Sequence, residues 1–179
     1  MGMLREQAIW ILCALLALVA GFTDWRWRRI PNQLTVTSAL IGIAINTAIS
    51  GWRGAEKSLL GMALGLAVLL PFVLTRSLGA GDGKLMGAFG ALLGPQPMLA
   101  VLFVTVLVAG LMAIILMIWK RRIRQTLTNT GRMLSAFLRF HLPGPELSLD
   151  NPDALKVPFG VAAAIAVLLY TAGRVWGFA

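Results

Sequence analysis

The sequence predicts an all-α fold, a polytopic transmembrane helical bundle of about six segments, and three observations carry that prediction. Hydrophobic residues make up 58% of the 179-residue chain, charged residues only 13%, and the mean hydropathy is +0.81, values outside the range of a soluble domain. Apolar stretches long enough to approach the ~20 residues that span a bilayer in a helix follow one another with little chain between them. Lys and Arg collect in alternate connections, which is the signature of membrane topology and not of nucleic-acid binding.

Taken in order, the stretches are about 7–23, 34–50, 58–75, 83–94, 98–119 and 157–176. The first resembles a signal peptide only superficially, since Glu6 follows Arg5 and Asp24-Trp25-Arg26 is no small-residue cleavage site; it is read as a retained helix. Pro71 lies inside the third and should kink it. The fourth has few residues and carries Gly83, Gly87, Gly90 and Gly94, which permit close helix contact and suggest burial in the middle of the bundle. Trp25, Trp27, Trp119 and Trp176 fall at ends of stretches, as interfacial anchors do. One domain, 1–179, accounts for the chain.

The connections after stretches one, three and five hold 12 of the 16 Lys and Arg residues, leaving Arg5, Arg53, Lys57 and Arg174 on the other side. Both termini are therefore expected outside and the odd-numbered loops in the cytoplasm. The longest loop, about 120–156, begins with Arg121, Arg124, Thr128, Arg132, Ser135 and Arg139 on one helical face and apolar residues opposite; this reads as an amphipathic helix in the headgroup region.

Most site chemistries lack their residues. Cys13 is the single cysteine and His141 the single histidine, so neither a disulfide nor a zinc cluster can be assembled, and no metal or cofactor is expected. Ser77 and Lys84 are the nearest pairing for a serine nucleophile and have no orienting third group. Two carboxylates remain: Asp24 after the first stretch and Asp82 before the fourth, both on the cytoplasmic side by counting. Singly, Asp82 reads as a helix N-cap and Asp24 as a juxtamembrane charge. As a pair they suit an aspartic hydrolase, because like charges a few Å apart cannot both ionise, and one becomes an acid and the other a base. The helix N-terminus behind Asp82 favours its ionised form, and so favours Asp82 as the base.

Asp24 followed by Arg28-Arg29-Ile30-Pro31-Asn32, and then Gly79-Ala80-Gly81-Asp82-Gly83-Lys84-Leu85, resembles the signature of type IV prepilin peptidases, the GxGD aspartic proteases of bacterial membranes. Lys156-Val157-Pro158-Phe159-Gly160 is similar to that family's Pro-aromatic-Gly element at the head of a late helix. The resemblance implies Asp24 and Asp82 as catalytic residues, with Arg29, Pro31, Asn32, Gly79, Gly81, Lys84 and Pro158 as supporting motif positions. It implies cleavage of the short basic leader of prepilins or pseudopilins at the cytoplasmic face of the inner membrane, the lipid bilayer and other pilus assembly proteins as partners, and no nucleic acid. The long family members carry two CxxC pairs in a cytoplasmic segment that goes with N-methylation; one cysteine and a short first loop leave no room for it, so the chain resembles the short, peptidase-only members serving tight-adherence (Flp-type) pili. Two other readings use the same acids differently, a small proton-coupled transporter and a noncatalytic component of a secretion or pilus machine. Against the transporter, no inverted repeat is present and the acids lie at one face.

Overall fold

A computed structural model describes residues 2–120 and 157–175, and between them Thr128, Gly131 and Ser135, which are helical. The rest of the 120–156 loop, and with it the predicted amphipathic helix and His141, lies outside the described residues, as does Trp176. Within the stretches 2–120 and 157–175 six helices run in order: α1 Gly2–Trp27, α2 Asn32–Ser50, α3 Trp52–Leu74, α4 Ala80–Leu93, α5 Pro95–Trp119 and α6 Phe159–Val175. The all-helical fold is as predicted.

Several boundaries differ from the sequence expectation. α1 runs past Thr23, so Asp24 lies within its last turn and not beyond its end. The chain breaks at Arg28, whose φ is 53°, and Ile30-Pro31 keeps it extended, because a residue before proline disfavours the helical region. α3 begins at Trp52, six residues earlier than 58, after a single linking residue, Gly51, with φ 60°. It continues unbroken through Pro71 to Leu74. α4 begins at Ala80, which puts Asp82 in its first turn with Gly79 at the cap position.

Among the described residues four helices are long and apolar enough to cross a membrane: Ala8–Trp27 within α1, α2, α3 and α5. The other two are shorter, α6 at seventeen residues against an expected span of about 157–176, and α4 short as its stretch predicts; packing explains why α4 can be so. Ten of its fourteen residues are buried, and it packs against each of the other five helices. At 1.5 Å per residue it rises only about 21 Å. A helix surrounded by protein need not match the hydrocarbon thickness.

Close backbone approach makes that central position possible. A Cβ on Gly61 of α3 would overlap the carbonyl of Gly90 on α4, and one on Gly90 would overlap the carbonyl of Gly61. Without a hydrophobic driving force between helices in lipid, such close packing is a main source of association. Polar anchoring adds to it: the side-chain amide of Asn46 on α2 donates to Ser58 Oγ on α3 at 2.8 Å and to the carbonyls of Ala91 and Leu92 on α4 at 3.1 Å each. One buried side chain thus ties three helices, in an interior where an unpaired amide would be costly.

Phe89, Leu85, Met86, Met98, Val101 and Val167 fill the core. The outer surface is apolar as well, with Phe103, Leu107, Leu111 and Ile115 of α5 exposed, which is the expected exterior of a lipid-facing helix. Trp25, Trp27, Trp52 and Trp119 are exposed near helix ends.

Candidate active site

The last turn of α1 delivers Asp24 to the interior, where only 7% of the residue is accessible. A carboxylate so placed requires hydrogen-bond donors. Gly160 supplies one from another helix, its amide donating to Asp24 Oδ2 at 2.8 Å. No larger residue would fit there, since a Cβ on Gly160 would stand 2.8 Å from Asp24 Cβ and 3.1 Å from the Ala20 carbonyl oxygen. The Pro158-Phe159-Gly160 turn starts α6 and brings its first amides to the aspartate. Pro158 is buried, its carbonyl accepting from the Ala162 amide at 3.2 Å.

Asp82 is held differently. From the first turn of α4 its Oδ2 accepts from the Gly79 amide at 3.1 Å, so the carboxylate reaches back over the start of its own helix. Gly81 faces the turn between α1 and α2, where a Cβ would come within 3.3 Å of Ile30 Cβ. Lys84 reaches the same turn from one helical step further on, its Nζ donating to Asn32 Oδ1 at 2.8 Å. The bond is exposed and adds little stability, but it sets the α4 start against the α2 start. Lys84 is thereby engaged with Asn32, while the Ser77 hydroxyl lies 2.9 Å from that of Thr75.

A cavity of about 640 Å³ lies among these segments. Asp24, Arg29, Pro31, Asn32, Gly79, Gly81, Asp82 and Lys84 all line it, together with Arg28 and with Val157 and Phe159 on either side of Pro158. Eight of the nine sequence-selected positions therefore meet at one cavity, and the ninth, Pro158, is buried without lining it. Among the contributors that were not selected are Ile30, against which Gly81 packs, and Gly160, whose amide meets Asp24. Among the described residues no group of three or more His, Cys, Asp or Glu gathers to hold a metal ion.

Burial pushes the Asp82 carboxyl up to about 7, the negative charge of Asp24 adds to the rise, and the Gly79 amide opposes it. The direction is the reverse of that expected from the helix N-terminus alone: loss of hydration and a like charge outweigh the amides. It has a consequence for stability. A carboxyl whose value rises from 3.8 to about 7 on folding favours the folded state fully below the lower value, and that contribution is lost as pH rises through the upper one. Asp82→Asn, which stays neutral, is therefore expected to melt at the same temperature as the parent near pH 4 and at a higher one at pH 8, measured in detergent by calorimetry. A lower melting temperature at pH 8 would contradict a destabilised carboxylate.

A family model for type IV leader peptidases matches residues 10–116, well over half of the chain. The chain belongs to the type IV leader peptidase family. No curated protein and no solved structure matches it. The matched region contains α2 to α4, most of α1 and α5, and both aspartate-bearing segments, whereas α6 and its Pro158-Phe159-Gly160 turn lie beyond it. Family membership makes the chain a membrane peptidase and implies prepilin-type substrates.

Proposed function

We propose that this family member is an aspartic endopeptidase that removes the short basic leader of Flp-like prepilins at the cytoplasmic face of a bacterial inner membrane. The observation that carries the reading is the shared cavity, in which Asp24 and Asp82, supplied by helices distant in sequence, stand together with no other acid among its lining residues. An ionised carboxylate takes a proton from water as the water oxygen bonds to the scissile carbonyl carbon. A protonated partner gives its proton to the carbonyl oxygen. The elevated Asp82 supports such a division, because one of the two holds a proton near neutral pH. No covalent intermediate is needed.

The whole chain acts as one integral-membrane peptidase domain with the 120–156 loop in the cytoplasm. Methyl transfer is not expected of it. The direct test is incubation of the purified protein, in EDTA, with a prepilin from the same genome neighbourhood, followed by mass analysis of the product. A new N-terminus at the end of the leader, without a methyl group when a methyl donor is supplied, is the expected result. An intact prepilin would remove the proposal.

Orientation follows from the charge count and can be checked separately. In a Cys13→Ser background, cysteine at Arg53, which is exposed at the start of α3, is expected to react with an impermeant maleimide from outside. Cysteine at Lys120, exposed after α5, should react only once the membrane is permeabilised. The opposite labelling would take both aspartates off the cytoplasmic side.

A further inference from the structure

The two carboxylates differ in what holds them. Asp82 takes one amide from the start of its own helix, at 3.1 Å. Asp24 takes its amide from a different helix, at 2.8 Å. α6 is seventeen residues long, so its N-terminus carries the full partial positive charge of a helix end. The charged groups sharing the cavity with Asp24 are Arg28, Arg29, Lys84 and Asp82; Arg28 acts on Asp24 directly, and the first turn of α6 adds no charged side chain. The like charge is mutual, so what sets Asp24 apart is the shorter amide contact, made from a second helix.

We propose that the Gly160 amide is a positioning group that fixes Asp24 as the general base of the cleavage reaction and leaves Asp82 as the acid. The inference rests on the aspartic-peptidase reading above. Asp24 removes a proton from the attacking water while Asp82 protonates the carbonyl oxygen. On collapse, the hydroxyl proton returns to Asp82, Asp24 passes its proton to the departing nitrogen, and the C–N bond breaks. Each aspartate ends in its starting state. Holding one Asp24 oxygen against α6 keeps the base from turning toward Asp82 and sharing its proton.

Gly160→Ala tests this, since the added methyl displaces the carboxylate from the amide. The expected result is a kcat lower by about 10- to 100-fold with KM little changed, and an acidic limb of the rate profile moved upward by about one pH unit as the base loses a donor to its charged form. Gly42→Ala is the control for mere packing: its Cβ would stand 2.9 Å from the Ala91 carbonyl, in the α2–α4 seam and away from both carboxylates. It should lower the melting temperature and leave the acidic limb in place. If Gly160→Ala does not fold, Pro158→Ala decides, because it frees the turn that aims the amide without adding volume, and a smaller upward shift is expected. An unmoved limb in folded Gly160→Ala or Pro158→Ala, or an equal shift in Gly42→Ala, overturns the positioning role. If instead Asp24→Asn still cleaves, the aspartic reading itself falls, which is a separate result.

Discussion

Asp24→Asn and Asp82→Asn are each expected to lower prepilin cleavage by at least about 100-fold, the usual worth of a positioned acid or base, with the double variant no worse than either single one. Asparagine preserves volume and most hydrogen bonding, so the loss isolates proton transfer. Non-additivity follows because the two groups act in one step. Glu56, exposed near the start of α3 and remote in sequence from both motifs, provides the control, and Glu56→Gln should cleave at the parental rate. The pH profile carries the same information: activity should fall as pH rises through about 7, where Asp82 loses its proton, and fall again at low pH as the base becomes protonated. The two apparent values belong to the pair. Normal cleavage by either Asn variant at normal membrane abundance would defeat the assignment.

The second large effect is structural. Gly61→Ala and Gly90→Ala each place a methyl against a backbone carbonyl of the facing helix, where no side chain can move aside. Each is expected to destabilise the protein by about 1–3 kcal/mol, the cost of overpacking a tight core, and to lower the melting temperature in detergent accordingly. Because both changes separate the same pair of helices, the double variant should cost less than the sum. Gly110 on α5 is the counter-example: nothing lies within 4 Å of a Cβ there, and Gly110→Ala should be neutral or stabilise its helix by up to about 1 kcal/mol. Equal melting temperatures for Gly90→Ala and Gly110→Ala would mean that α3 and α4 are not in close contact.

The helix class and the central place of α4 could be read from the sequence because apolar length and glycine spacing record them directly. Helix ends could not, since the polar residues that close an apolar stretch do not close a helix: Asp24-Trp25-Arg26-Trp27 leaves the hydrocarbon pattern while its backbone hydrogen bonds continue. The aspartates were legible from their motifs. Their environment was not, because the group that meets Asp24 is a backbone amide 136 residues away, and a backbone donor leaves no trace in residue type beyond the glycine that lets it approach. The Asp82 direction was misjudged for a related reason: an adjoining helix start is visible in sequence, but burial and a facing carboxylate exist only after folding. Asn46 did offer a signal, an amide in the middle of an apolar stretch, and the three-helix tie is what it marks.

The length of α4 has a mechanical consequence for the bundle. Its fourteen residues rise about 21 Å against a hydrocarbon slab about 30 Å thick. The lower end of α4 passes through Gly94 alone into α5, the helix with the longest apolar window, so α4 cannot be lengthened at that end. Because protein surrounds α4, the longer helices around it set the bilayer thickness, and the shortfall of about 9 Å is taken up inside the bundle instead of by the lipid.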